Sequence, residues 1–313
     1  MKRILLSLLV LLTATSLAAE ESAPLPADVQ AISWLGDTLR VLPLDTIMKS
    51  SRGTKLTKAK MAMEKNPDGA DELLALGKAH DGMGDYREGI AIYTEGMERF
   101  PDDARFPRRR GHRWTTLRDL DRAFADLDLA ETLAIELAKQ SAEARPAPVT
   151  DRLRYDIEFH LGLAHYLRGD LEDAENRFRS ALTWTDGHNE WRVSTLNWLS
   201  LTLCRAGKTA EIDELLAEFP TTMRLKSGQS YFRLLQMYSG RLREGELLPG
   251  LNPKAVSTTT TLYGLGQWRA CDGDLPGATE LMDRVIESGF WSSFGFLASE
   301  AMLARDLRLE EGE

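Results

Sequence analysis

Apolar and small residues recur along this chain with a long period superimposed on helical spacing. Between residues 70 and 103, Leu73, Leu76 and His80 fall three to four apart, with Gly77 beside Leu76. After Gly84-Asp85 a second stripe runs through Gly89, Tyr93 and Gly96 to Pro101. The arrangement returns over 104–137 with Gly111, Trp114, Ala123, Leu127 and Ala130, and over 155–188 with Leu161, Gly162, His165, Gly169-Asp170, Ala174, Phe178 and Ala181. A weaker copy spans 193–226 through Leu196, Leu199, Ser200, Leu203 and Leu216, and 259–292 recovers it with Leu262, Leu265, Gly266, Gly273-Asp274, Ala278, Met282 and Val285. Each copy predicts two antiparallel helices. Small residues let the pair approach closely, and bulky ones fill the space between neighbouring pairs.

The irregular intervals are informative. The small residue after the second bulky one sits at 77, 111, 162, 200 and 266, so its spacing is 34, 51, 38 and 66. The longest gap predicts a degenerate copy over 227–258, with Tyr231, Leu234, Leu235 and Tyr238 in its first helix and Gly240, Gly245, Pro249, Gly250 and Pro253 breaking its second half. The 51-residue step predicts lengthened helices, because a long structureless loop is uncommon in a packed array. Only Arg145–Thr150 reads as linker, and Asp151 is placed to cap the next helix. Lys55–Lys65 resembles the second helix of a partial copy. Asp28–Val41 reads as an amphipathic helix through Val29, Ile32 and Leu35, and Ser293–Leu307 as a last helix. Repeat arrays need such flanks to cover their outermost apolar faces.

The first residues read as an address. Lys2 and Arg3 precede an apolar run from Ile4 to Leu12, and Ser16-Leu17-Ala18 offers small residues for cleavage. The run is shorter than the roughly 20 residues that span a bilayer, so it predicts a secretory signal. The expected organisation is therefore a signal over 1–18, an N-terminal helical cap and partial repeat over 19–69, the array over 70–292, and a capping helix and tail over 293–313. No transmembrane segment is expected after cleavage.

Charge and composition narrow the function. The 313 residues carry 39 Lys+Arg, 48 Asp+Glu and two cysteines, a formal net charge of −9. Phosphate-backbone binding relies on clustered cations, so nucleic acid is not an expected partner. Two cysteines do not make a disulfide scaffold. Cys204 and Cys271 lie two repeats apart, about 20 Å at ordinary helix spacing, which predicts two unpaired thiols.

The 34-residue register, with Gly111-His-Arg-Trp, Arg122-Ala-Phe-Ala-Asp-Leu and Phe159-His-Leu-Gly-Leu-Ala-His-Tyr-Leu-Arg-Gly-Asp170, resembles the tetratricopeptide repeat (TPR) superfamily. Within it, residues 70–210 look like secreted bacterial TPR proteins. The resemblance implies an all-α solenoid of helix-turn-helix units wound into a right-handed superhelix. It also implies a concave groove that binds peptides or proteins, and no catalysis.

Candidate chemistry is sparse. His80 and His165 share one repeat position and read as packed structural residues. No His-Glu-x-x-His or Gly-x-Ser-x-Gly motif occurs, and Gly207-Lys-Thr209 lacks the earlier glycine of a phosphate loop. No metal, cofactor or catalytic set is expected. The strongest local feature is seven arginines within 105–122 against two acids. Arg105, Arg108 and His112 take groove-facing positions on a first helix, with Arg109 adjacent. Together they could clamp a carboxylate or an acidic peptide, unless Asp102, Asp103, Asp119 and Asp126 pair with the cations first. Phe159, Tyr166 and Tyr263 are further groove candidates if exposed, and core residues if buried. The sequence thus predicts an exported scaffold, periplasmic or secreted, that binds another protein or peptide. The alternative is an envelope assembly factor docking through 28–41.

Overall fold

The structure, a computed structural model, describes residues 25–26, 28–43, 46–141, 150–253 and 255–307. The signal-like segment and its cleavage site lie outside them, as does most of the 145–150 linker. Among the described residues are thirteen α-helices and one short hairpin. The helix pairs are α2 (Ala70–Met83) with α3 (Tyr86–Arg99), α4 (Arg105–Thr116) with α5 (Leu120–Ser141), and α6 (Asp151–Arg168) with α7 (Leu171–Leu182). They continue with α8 (Asn189–Arg205) and α9 (Thr209–Leu216), then α11 (Val256–Cys271) and α12 (Leu275–Glu287). Each pair is antiparallel and packs on the next. The small-residue rule has a direct steric basis: a Cβ on Gly77 of α2 would lie 2.4 Å from the Tyr93 ring of α3.

The irregular intervals correspond to particular elements. Helices α5 and α6 are long, 22 and 18 residues, and absorb the extra sequence. Thr150, not Asp151, caps α6 by accepting from the Leu153 N–H. The degenerate unit is α10 (Gln229–Tyr238) followed by a single 3₁₀ turn, Glu244–Glu246. Upstream, α1 (Thr46–Lys65) packs on α2. Downstream, α13 (Phe294–Met302) continues as one π-helical stretch to Leu307.

Residues 28–41 correct the sequence expectation. They form an antiparallel hairpin, β1 (Val29–Ile32) with β2 (Thr38–Arg40). Turn chemistry overrides the helical spacing: Ser33 Oγ accepts from the N–H groups of Leu35 and Asp37, and Gly36 takes a φ of 91°. Val29, Ala31 and Leu39 turn inward, whereas Ile32 is 43% exposed. An amphipathic helix docking through 28–41 is therefore not available.

The second correction is closure. The first helices of the pairs, which would line an open groove, meet one another and α13. Helix α8 packs on α10 and α11, and α13 packs on α6, α11 and α12. The degenerate unit does not insert a full layer between α8 and α11. Cys204 and Cys271 consequently lie 5.9 Å apart at Cα and form a disulfide, instead of two distant thiols.

A buried ion pair ties the chain's two ends. The turns between paired helices are closed by a left-handed glycine at Gly84, Gly169, Gly207 and Gly273, but α4 and α5 are joined through Arg118, at φ 69°. Its guanidinium donates to Glu300 of α13 at 2.5 and 3.0 Å and to the carbonyls of Thr116 and Trp291. Glu300 also accepts from the Trp34 N–H of the hairpin, and Trp291 donates to the Arg40 carbonyl. The Arg118 and Glu300 side chains are 3% and 0% exposed.

Two predictions follow from this packing. The intact mass of the folded chain falls two hydrogens below the dithiol value, and Cys204→Ser lowers the unfolding free energy in denaturant by about 2–4 kcal/mol. Two thiols titrating without reductant would exclude the bridge. Glu300→Leu costs about 3–5 kcal/mol because it strands a buried guanidinium. Adding Arg118→Gly returns part of that loss, since it removes the stranded charge and relieves a left-handed residue worth about 1–2 kcal/mol.

Candidate functional site

Closure places several groove candidates in the interior. Tyr166 and Tyr263 are each 1% exposed, share a hydroxyl hydrogen bond and surround Trp198. Phe159 is buried between Tyr155 and Phe178. These three aromatics are core residues and present no face to a partner. Arg108, at 4% exposure, pairs with Asp156 at 2.8 Å. His112 stacks between His160 and Phe294, so the start of α13 occupies the space that an open groove would offer.

The arginine cluster is mostly paired internally. Arg105, half-exposed, engages Asp103 and Asp71, Arg110 engages Asp126, and Arg122 engages Asp119. Of the acids expected as partners, Asp103, Asp119 and Asp126 serve. The sequence did not point to Asp71, Asp81 and Asp156, which come from neighbouring helices. Arg109 alone of the seven arginines makes no ion pair among the described residues.

The buried centre leaves donors and one acceptor, Asp81 Oδ1, unpartnered. Arg108 Nε and Nη1, Arg113 Nε and His112 Nδ1 are buried without a hydrogen-bond partner. Arg113 stands 3.7 Å from Asp81 and over the Tyr86 ring at 4.9 Å. Burial pushes Arg108 down to about 10, against the pull of Asp156, which leaves it charged near neutrality. Burial alone would raise the Asp156 carboxyl, but Arg108, His160 and Arg152 outweigh it and hold the group below its ordinary range. Burial and the charge of Arg108 push His160 well below the ordinary imidazole value. His160 Nδ1 faces the Asp156 carbonyl, which can only accept, so the neutral ring carries its proton there.

Beside this centre lies a cavity of about 570 Å³ between α1, α2 and the start of α11. Arg52, Lys55 and Lys78 line it, with Asp81, Tyr86 and Trp291. Helix α1 itself carries Lys49, Arg52, Lys55, Lys58, Lys60 and Lys65 against the single acid Glu64. None of these six cations forms an ion pair among the described residues. The sequence reading saw α1 only as a partial repeat. Its charge excess was legible there but was diluted in an acidic average.

The histidine turns recur as a structural device. His165 Nδ1 lies 3.4 Å from Asp170 and 3.9 Å from Asp173, and His80 Nδ1 lies 3.6 Å from Asp85 at the same repeat position. Arg168 already engages Asp170 at 2.5 Å, so that trio is a charge-paired turn. Lys208, in the Gly207-Lys-Thr209 triplet, is held by Glu175 at 2.8 Å.

The His160 shift sets a pH dependence. Between the unfolded imidazole value near 6.5 and its lowered folded value, the unfolded chain binds the extra proton. Stability is therefore complete above pH ~6.5 and falls on acidification, by up to about 1.4 kcal/mol per pH unit for this one group. Urea titrations between pH 7 and 5 measure the slope, and His160→Gln reduces it.

No protein-family model matches the sequence, and no curated protein matches it. Among solved structures, the chain is similar to BtubC from P. vanneervenii at 16% identity and a TM-score of 0.45, over 78% of this chain and 91% of that one. It is similar to a tetratricopeptide repeat protein from Parabacteroides merdae at 15% identity and 0.45, over 82% and 95%. It is also similar to YrrB, a TPR protein, at 14% identity and 0.40, over 74% and 91%. No helix among the described residues is long and apolar enough to cross a membrane. The helix pairs themselves keep the 34-residue register from Gly84 to Arg118, with the small residue, ring and turn in their repeat positions. The chain folds as a TPR-type array of helix pairs, wound shut on its own last helix.

Proposed function

We propose that the protein is an exported scaffold that binds an acidic segment of another protein, and that it does so through the cationic helix α1 instead of a concave groove. The observation that carries this reading is the six unpaired cations of α1 in a chain whose net charge is −9. Lys49, Lys55, Lys58, Lys60 and Lys65 are exposed, so their charge is available to a partner. Such a surface steers an acidic partner and sets its orientation. The acidic remainder of the chain opposes a nucleic-acid backbone. Two observations support export: the signal-like pattern of residues 1–18, and a disulfide, which persists in oxidising compartments.

Crosslinking in the native envelope, with identification of what is attached, tests the reading. The Lys58→Glu/Lys60→Glu/Lys65→Glu protein is expected to lose its acidic partner while keeping its fold, and rising salt is expected to weaken the wild-type complex. Unchanged partners in the triple variant would reject it.

A further inference from the structure

The cavity beside α1 has the chemistry of a ligand site in its own right. Its volume of about 570 Å³ falls within the roughly 300–1,000 Å³ of small-molecule pockets. Leu42, Met83, Phe290 and Trp291 give it apolar lining, and Arg52, Lys55 and Lys78 give it positive charge. Lys55 and Lys78 make no ion pair among the described residues, and Arg52 donates only to neutral acceptors, the Gly82 carbonyl at 2.8 Å and the Met48 sulfur. The one acid in the wall, Asp81, is partly engaged: its Oδ2 accepts from the Tyr93 hydroxyl at 2.8 Å and faces Arg113, while its Oδ1 is buried without a hydrogen-bond partner.

Three further observations point the same way. Partial burial, then the charges of Arg109, Arg108 and Arg105, lower the Lys78 ammonium below its ordinary value, and the opposing pull of Asp156 does not cancel them. Arg113 is 8% exposed, rests on the wall residues Asp81 and Tyr86, and has an unbonded buried Nε. Helix α11, 16 residues long, begins at the cavity with no acid in its first turn and no side-chain cap; the Thr258 N–H turns to the Ala255 carbonyl, and the positive helix end has no side chain to answer it.

We propose that this cavity binds a small organic anion, its carboxylate or phosphate head held by Lys55, Lys78 and Arg52 at the start of α11 and its apolar body against Trp291 and Phe290. The site forms only because the array closes: α1 and α2 supply the cations, and the far end of the chain supplies Phe290, Trp291 and the helix terminus. It shares Arg52 and Lys55 with the cationic helix proposed to meet the partner, whereas Lys58, Lys60 and Lys65 do not line it.

Isothermal titration of the full-length protein with phenyl phosphate, benzoate and inorganic phosphate tests the site. At least one aryl acid is expected to bind, at least tenfold more tightly than inorganic phosphate. The preferred aryl probe identifies the head group as phosphate or carboxylate. Lys78→Gln and Lys55→Glu, the second at an exposed position that leaves the fold intact, are each expected to weaken binding at least tenfold. The triple variant at 58, 60 and 65 is expected to bind like the wild type, which separates this site from the partner surface. Saturating probe is also expected to slow acylation of Lys78, read by peptide mass. Absence of binding by both aryl acids at millimolar concentration, or binding that neither cavity variant weakens, would overturn the site. Equal affinity for inorganic phosphate would remove the apolar part of the assignment.

Discussion

The ion pair between Arg118 and Glu300 is the constraint on which the closed form depends. It joins residues 182 positions apart and lies out of reach of water. A pair so buried adds little net stability when intact, because desolvating two charges offsets their attraction. Its effect is selective. Any arrangement that separates α13 from the α4–α5 turn leaves a guanidinium or a carboxylate stranded in an apolar interior. The pair therefore penalises opened superhelices far more than it stabilises the closed one. The hairpin joins the same lock, since the Trp34 N–H and the Trp291 indole add contacts that need both ends in place.

Closure changes what a repeat array can offer. Inner-face residues that would greet a peptide are consumed by the chain itself: Tyr166 by Tyr263, His112 by Phe294, Arg108 by Asp156. The recognition proposed above is displaced to surfaces that closure leaves uncovered or creates. Helix α1 is uncovered because nothing precedes it in the stack of described helices. The neighbouring cavity is created because the array's start meets its finish. Excess positive charge gathers at both, in a molecule that is otherwise acidic.

Local pattern carried much of this into the sequence, and long-range contact carried the rest. The helix pairs were legible because Gly77, Gly111, Gly162 and Gly266 mark close approaches that recur in register. The lengthened α5 and α6 were legible from the 51-residue step. The hairpin was not, since Val29, Ile32 and Leu35 satisfy helical spacing while Ser33, Gly36 and Asp37 dictate the turn. The disulfide was not, because two repeats of separation along an open superhelix say nothing of a closed one. Arg118 left a trace that could have been read: it stands where every other well-formed turn has glycine. Glu300, a lone acid in the apolar run from Phe294 to Leu303, is its complement.

The disulfide between α8 and α11 also gives the molecule an unusual mechanical character. Open repeat arrays stretch like springs, each unit shielding only its neighbours. Here the bridge joins cysteines 67 positions apart into a covalent ring, so tension applied at the chain ends passes directly from Cys204 to Cys271. At about 3.5 Å of extended chain per residue, some 230 Å of contour is hidden from the force for as long as the bridge is oxidised. The array behaves as a buckled strap and not as a spring, and only a reductant converts one into the other.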